Sequence, residues 1–185
     1  LRELNKTMDA DLVSAGNYVK SLLPKGLAGP VQISSRYFPA RKVGGDIFDY
    51  RWIDGDHLML YLLDVSGHGM DSALMAMSLH TMLRQENQIT LDILDPVRVL
   101  TELNRSFPME QHDSKYFTIW YGVYQQSTRL LRYASAGHPP ALVFSHHSPA
   151  TAVDLFTKSV PVGIIGDAEF SAATYEVPRQ AQLLL

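Results

Sequence analysis

Two short segments of this sequence carry residue types that could do chemistry. In residues 44–49 a pair of glycines precedes Asp46 and Asp49, and in residues 62–69 an apolar stretch ends at Asp64. Carboxylates are hard oxygen ligands, so two acids held close together would suit Mg²⁺ or Mn²⁺ rather than Zn²⁺. Water bound to such an ion has a lowered pKa and is a ready nucleophile. The two segments therefore indicate a hydrolytic metal site.

The turn that follows Asp64 could bind an anion beside that metal. Gly67, His68 and Gly69 lie where the apolar stretch gives way to a helical pattern. Backbone N–H groups at the start of a helix can bind phosphate, and we take these three residues as candidate phosphate contacts. No lysine follows the turn, which excludes a nucleotide-binding loop of the Walker type. Taken singly, each acid also fits a structural role, as a turn residue at Asp46 or a helix cap at Asp64.

Hydrophobic periodicity predicts the hairpin that must position the two acids. Residues 46–53 and 57–65 flank an Asp-Gly-Asp turn signal, so they are predicted to pair and to bring Asp46 and Asp64 to one end of a sheet. On such a strand Asp46 and Asp49 point to opposite faces, and Asp49 could face solvent. Only one of these two acids can then face a metal.

The rest of the pattern predicts an α+β fold for a chain of 185 residues. Helices are predicted at residues 70–85 and 95–107, and strands at 31–37, 116–124, 129–134, 140–144, 152–156, 172–177 and from 183. Strands separated by short turns are typical of antiparallel sheets, and two helices inserted as one block favour a helix layer packed on that sheet.

An apolar stripe in the first 23 residues predicts a long N-terminal helix that ends before Pro24. The stripe consists of Leu4, Met8, Leu12, Ala15, Val19 and Leu22. Its nearly heptad steps suit pairing with a partner helix, and they also suit a helix that lies on its own domain. We therefore divide the chain into a connector or dimerisation helix at residues 1–24 and a domain at residues 25–185.

The composition is that of a folded domain, and it excludes several classes of protein. The 16 Lys and Arg residues against 19 Asp and Glu residues give a net charge of −3, without the basic excess of a duplex-binding domain. The absence of cysteine excludes disulfide scaffolds and thiolate zinc sites. The longest apolar run is far shorter than the roughly 20 residues that span a bilayer. We expect a soluble, cytoplasmic protein with no nucleic-acid partner, and the start without Met predicts a piece of a longer chain.

Six segments form an ordered set of motifs along nearly the whole chain. They are Ser21 to Pro24, Pro39 to Asp49, Asp64 to Gly69, Tyr116 to Thr118, Tyr133 to Pro140 and Pro161 to Ile164. The set resembles the bacterial branch of the PPM metal-dependent serine/threonine phosphatases, whose model is the sporulation stage II E phosphatase with its stress-response relatives. One member of the set, His138, is interpreted as a turn histidine in preference to a ligand.

The resemblance implies a fold, a cofactor and a reaction. The fold would be an α/β sandwich of two mostly antiparallel sheets flanked by helices, with two Mn²⁺ or Mg²⁺ ions at one sheet edge. Asp64 would match the acid that bridges both ions, the backbone carbonyl of Val65 the next ligand, and Asp46 the acid of the first motif. Metal-activated water would hydrolyse phosphoserine or phosphothreonine on a regulatory protein, such as an anti-sigma-factor antagonist.

The sequence departs from the family pattern at its end, where residues 182–185 precede the position of a Thr-Asp-Gly motif that carries further acids. We therefore expect the chain as given to bind metal poorly. The alternative to an enzyme is a catalytically inactive, phosphatase-like adaptor in a signalling protein. By resemblance, the partners would be an upstream sensor or receiver domain in the same chain, the phosphorylated regulatory protein, and a second copy bound through the N-terminal helix.

Overall fold

A computed structural model of the protein describes residues 2–39, 42–85, 92–145 and 148–185. Its helices are α1 (Arg2–Leu22), α2 (Met70–Arg84) and α3 (Pro96–Ser106). Its strands are β1 (Asp46–Trp52), β2 (His57–Val65), β3 (Phe117–Gln125), β4 (Leu130–Ala136), β5 (Ala141–Ser145), β6 (Ser148–Leu155), β7 (Ala173–Glu176) and β8 (Ala181–Leu184). None of the described helices is long and apolar enough to cross a membrane.

The strands form two antiparallel sheets. The larger sheet has five strands in the order β1-β2-β3-β4-β7, and the smaller has three in the order β6-β5-β8. Within each sheet the named strands pair antiparallel. The expected α+β architecture of two antiparallel sheets with packed helices is therefore confirmed.

The two faces of the larger sheet pack against different layers, because successive side chains of a strand point to opposite sides of the sheet. Ile119 and Tyr121 of β3 belong to a core shared with α2 and α3. Between them, Trp120 points the other way and packs with Leu155 of the smaller sheet, where its indole Nε1 donates to the Leu155 carbonyl at 2.8 Å. The larger sheet is thus sandwiched between helices and the second sheet.

The β1–β2 hairpin has the predicted turn at its closed end. The Asp54 carboxylate accepts hydrogen bonds from the backbone N–H groups of Asp56 and His57, each at 2.7 Å. The Ile53 N–H also donates to the His57 carbonyl at 2.8 Å, and these side-chain and backbone contacts together hold the strands in one register. The register of the open end, where β1 begins and β2 ends, follows from this turn.

The second half of α1 lies on its own domain. Val19 is buried with Val43 and Ala73, and Leu12 packs against the same cluster. A side chain at Gly16 would collide with the backbone carbonyl of Lys42, so the helix approaches this segment closely. The side chains of Leu4 and Met8 lie outside the described residues, and pairing with a partner helix stays a prediction.

The predicted strand at residues 31–37 is wrong. Leu27 and Ile33 form one isolated antiparallel bridge, with N–H to carbonyl distances of 3.2 and 2.9 Å. Between them Gly29 has φ 133°, which lets the chain reverse within a short loop, and the pairing does not extend beyond this one bridge. Val31 and Ile33 are half-buried and their neighbours along the chain are exposed, so the alternating pattern reflects packing of a loop and not of a strand.

Candidate active site at the open end of the β1–β2 hairpin

Asp46 and Asp64 face each other at the open end of the hairpin. They are direct partners in the β1–β2 register, and the next strand continues the row because Asp64 is the partner of Thr118 in β3. Directly opposed residues of antiparallel strands share a face, with Cβ atoms about 5 Å apart. The predicted meeting of the two acids is therefore seen in the structure, on the face that the smaller sheet covers further along.

The closeness of the two acids changes the acidity of one of them. The pKa of Asp64 is raised from 3.8 to about 6 by partial burial, by the negative charge of Asp46 and by a hydrogen bond between the two carboxyl groups. A proton shared between two carboxylates marks a place where positive charge is favourable. A divalent cation would supply that charge and displace the proton.

Glycine at position 45 packs closely against a third oxygen near this site, the carbonyl oxygen of the buried Val65. A Cβ atom at Gly45 would lie 2.7 Å from the carbonyl oxygen of Val65 and 3.2 Å from the Val65 Cβ atom. Those separations are too short for any larger residue, so only glycine allows β1 and the end of β2 to approach this closely. The donor set of two carboxylates and a carbonyl suits a hard divalent ion.

The site is a partial one within the described chain. No group of three or more His, Cys, Asp or Glu side chains is positioned to hold a metal ion in the residues that the structure describes. The set of Asp46, Asp64 and the Val65 carbonyl therefore fits an ion that keeps several of its waters, as Mg²⁺ usually does.

Asp49 has a structural partner on the other face of the sheet. Its side chain is fully buried, and Arg84 of α2 donates from Nε to Oδ2 at 2.7 Å and from Nη2 to Oδ1 at 2.9 Å. The expectation that Asp46 and Asp49 point to opposite faces is confirmed. The alternative that Asp49 faces solvent is wrong, because a helix arginine covers it.

The turn between β2 and α2 is tied to Tyr116, the residue before β3, by two hydrogen bonds. The backbone N–H of Ser66 donates to the Tyr116 carbonyl at 2.8 Å, and the Ser66 hydroxyl accepts from the Tyr116 N–H at 3.1 Å. Gly67 and Gly69 have φ of 87° and 94°, in the region that favours glycine. His68 between them is exposed.

The start of α2 is open to solvent. Gly69 occupies the N-cap position without a side-chain hydrogen bond, so Asp64 is not the helix cap. The N–H groups at this end can donate hydrogen bonds to the oxygens of an anionic group. The structure therefore places the three candidate phosphate contacts on the turn that follows Asp64 and the hydrogen-bonded Ser66.

Lys115 is a cation beside this turn that the sequence analysis missed. Its Nζ atom would lie 3.7 Å from a Cβ atom at Gly67, and it has no ion pair or side-chain hydrogen bond among the described residues. Extending the pairing of Val65 with Phe117 by two residues sets Gly67 against Lys115. This register is the signal that could have identified Lys115, but it can be used only when β2 and β3 are known to be neighbouring strands.

Thr118 and His138 also join the site, from β3 and from the turn after β4. The Thr118 hydroxyl and His138 Nδ1 are 2.8 Å apart. Burial lowers the pKa of His138, and the negative charge of Asp46 opposes that shift, so the imidazole lies within electrostatic reach of Asp46. The turn position predicted for His138 is correct, but the interpretation missed that this turn lies at the candidate site.

Comparisons with known proteins give the family of the chain and its fold. The family model described as stage II sporulation protein E matches residues 54–185. The phosphoserine phosphatase RsbP of Bacillus subtilis (strain 168) is 35% identical over 159 residues, which cover 84% of this chain and 38% of RsbP. The phosphoserine phosphatase RsbU of the same organism is 27% identical over 190 residues, covering 100% of this chain and 54% of RsbU. The chain thus spans about half or less of the length of these curated relatives.

The fold has a counterpart among solved structures. The SiaA-PP2C domain of Pseudomonas aeruginosa superposes with a TM-score of 0.75 at 17% identity, covering 96% of this chain and 70% of that one. At this identity the likeness shows the fold, while the family model matches most of the sequence. The chain therefore belongs to the stage II sporulation protein E family and has the fold of a PP2C-type phosphatase domain.

Proposed function

We propose that this domain is a metal-dependent phosphoprotein phosphatase that hydrolyses phosphoserine or phosphothreonine on a regulatory protein, such as an anti-sigma-factor antagonist. The observation that carries the proposal is the direct pairing of Asp46 with Asp64 across the hairpin, with Val65 next in the chain. Family membership supports it, because two relatives are phosphoserine phosphatases.

Asp46, Asp64 and the Val65 carbonyl would hold Mn²⁺ or Mg²⁺. When bound, such an ion supplies charge neutralisation and a water nucleophile of lowered pKa. The protein's part is to keep the two carboxylates opposed across the hairpin, which the Asp54 turn and the close approach at Gly45 achieve. In the metal-free protein the raised pKa of Asp64 means that a proton competes with the ion for this place.

The phosphoryl group would lie against the turn after Asp64. The backbone N–H groups of Gly67, His68 and Gly69 offer donors to its oxygens, and the Lys115 ammonium beside Gly67 offers a positive charge. Phosphoryl transfer needs little covalent help from a protein and depends on positioning and charge stabilisation. A rigid turn with an unpaired lysine meets both needs, and it lies next to the acid pair.

The second candidate is a catalytically inactive, phosphatase-like adaptor in a signalling protein. One observation favours it: the described residues contain no third carboxylate positioned to complete a metal site. Two close divalent ions repel strongly, so a site with fewer carboxylates holds at most one ion weakly. The adaptor would keep the fold and bind a phosphoprotein without hydrolysing it.

The remaining expectations concern the setting of the domain. An upstream sensor or receiver domain in the same chain, a homodimer through α1 and a cytoplasmic location all stay predictions. The packing of Leu12 and Val19 on the domain supports a connector role for α1, because a helix seated on α2 can transmit movement from a neighbouring domain.

A metal titration with a parallel activity measurement tests the proposal. Mn²⁺ is titrated by calorimetry into this chain and into a chain extended past Leu185, each beside its Asp64→Asn variant, and release of phosphate from one phosphoprotein is followed. If the domain is a phosphatase, it will hydrolyse the phosphoprotein and bind Mn²⁺, and both activities will disappear in the Asp64→Asn variant. Tight phosphoprotein binding without turnover in either chain would establish the adaptor instead.

A further inference from the structure

The row of polar residues at the candidate site continues past the acid pair to a histidine. Asp46, Asp64 and Thr118 occupy one register position on three neighbouring strands. The Thr118 hydroxyl then meets His138 Nδ1 at 2.8 Å. Four side chains from four chain segments therefore line one end of the sheet.

The backbone that carries His138 is held from several directions. Gly137 has φ 65°, and a Cβ atom there would lie 2.6 Å from the Pro161 ring. Gly137 also forms a bridge with Ile119 of β3, and the Ser135 hydroxyl donates to the His138 carbonyl at 3.3 Å. The imidazole is thus fixed both at its backbone and at Nδ1.

The other ring nitrogen of His138 is available. Nε2 has no hydrogen-bond partner in the described ranges, and it is not among their buried side-chain atoms that lack one, so it is open to solvent. We take the Thr118 hydroxyl as the donor to Nδ1, an assignment that puts the hydrogen of the neutral ring on Nε2. The pair therefore presents one directed N–H group beside the acids.

We infer that Thr118 and His138 form a substrate-recognition pair, in which His138 Nε2–H donates to an oxygen of the phosphoryl group and Thr118 positions the ring. A role as a third metal ligand is disfavoured, because Asp46, Asp64 and His138 are not placed as a metal-holding group of three in the described chain. The inference rests on the proposed function, since it names a further contact for the same phosphoryl group.

Two substitutions at one position separate recognition from structure. In His138→Asn the amide can keep the contact with Thr118 but cannot reach the Nε2 position, whereas His138→Gln places an N–H group near Nε2. Thr118→Val removes the hydroxyl that orients the ring, and Thr118→Ser restores it. Thr101→Val, at an exposed position of α3 where the hydroxyl donates only to the Val97 carbonyl of its own helix, is the matched control for Thr118→Val.

The experiment measures binding of inorganic phosphate by ³¹P NMR and of Mn²⁺ by calorimetry, with thermal unfolding as a check of the fold. Phosphate affinity should fall roughly tenfold or more in His138→Asn and in Thr118→Val, because a hydrogen bond to a charged group is lost. Phosphate affinity should recover in His138→Gln and Thr118→Ser and stay unchanged in Thr101→Val, while Mn²⁺ affinity stays within about twofold throughout.

Three results would overturn the inference: unchanged phosphate affinity in His138→Asn, a parallel loss of Mn²⁺ affinity, or no phosphate binding by the unmodified chain. Failure of the proposed function is distinct from these results. A chain that binds phosphate through His138 but never hydrolyses a phosphoprotein would contradict the phosphatase and support the recognition pair.

Discussion

Asp49 and Arg84 form a two-point ion pair between β1 and α2, with Nε–Oδ2 and Nη2–Oδ1 distances of 2.7 and 2.9 Å. The carboxylate is fully buried, while the guanidinium remains partly exposed. The pair raises the pKa of Arg84 and ties the helix layer to the strand that carries Asp46. Its role is therefore to hold the site's framework and not to bind the metal.

Replacing Arg84 by Met should destabilise the protein by about 3 kcal/mol, since it leaves the Asp49 carboxylate buried without a partner. Urea unfolding at pH 7 measures the effect. Arg105→Met is the matched control, because Arg105 pairs with Glu102 on the exposed surface of α3 and such pairs contribute less than about 1 kcal/mol. Equal losses in the two variants would contradict the structural role of the buried pair.

Asp46→Ala should weaken Mn²⁺ binding and turnover far more than Asp49→Ala. The two side chains lie on opposite faces of β1, and only Asp46 is opposed to Asp64. The two Mn²⁺ affinities are compared by calorimetry at a temperature below the unfolding transition of the less stable Asp49→Ala variant. Equal losses of affinity would show that the strand geometry does not decide metal binding.

Asp64→Asn should remove nearly all phosphatase activity without unfolding the domain. The change deletes the carboxylate that faces Asp46, and with it the charge that holds the ion. Phosphoserine hydrolysis by the purified variant with Mn²⁺ is the measurement, and thermal unfolding is the control. Turnover near the unmodified rate would remove Asp64 from the site.

The metal-free protein should lose stability as pH rises through the pKa of Asp64. The folded-state pKa is about 6 against a reference of 3.8, so the native state binds the proton more tightly than the unfolded chain does. The stabilisation is complete below about pH 4 and is lost as the pH rises past about 6. Asp46→Asn should flatten this dependence in part, because it removes the opposing negative charge while the burial that also raises the pKa of Asp64 remains.

Urea unfolding between pH 4 and pH 8 in the presence of a chelator gives the stability profile. The profile of Asp49→Asn serves as the comparison, since that residue does not face Asp64. A profile for Asp46→Asn as steep as that of the unmodified protein would show that the two carboxyl groups do not interact.

Lys115→Met should reduce the affinity for inorganic phosphate about tenfold, because a charge-assisted contact beside Gly67 is lost. The substitution keeps most of the aliphatic length, so the turn should retain its packing. Lys158→Met, at an exposed position, is the control for general charge effects. A similar loss in both variants would mean that Lys115 acts only through the overall charge of the protein.

Leu4→Glu with Met8→Glu should convert a dimer to a folded monomer, if α1 pairs through the first half of its stripe. Leu12→Glu should instead lower stability, because Leu12 packs against the Val19, Val43 and Ala73 cluster. Sedimentation of both variants and of the unmodified chain decides between the two effects. A monomeric unmodified chain would remove the dimer from the proposal.

The sequence is sufficient to predict the β1–β2 hairpin, the helices α2 and α3, and the pairing of Asp46 with Asp64. Asp-Gly-Asp between two alternating runs is a signal that acts over a few residues, and it determines which residues of β1 and β2 oppose each other. Asp95 as the N-cap of α3, whose carboxylate accepts from the Val97 N–H at 3.0 Å, is equally local. Local physics therefore places Asp46 beside Asp64.

The tertiary structure alone decided the partners of these residues. Arg84 lies 35 residues beyond Asp49, and His138 lies 20 residues beyond Thr118. Neither contact can therefore be predicted from a turn motif or from the hydrophobic periodicity of one element. The alternation of a strand tells which residues share a face, but it does not tell which strand or helix will cover that face. The same limit explains the absent strand at residues 31–37, where an alternating pattern found no neighbouring strand to pair with.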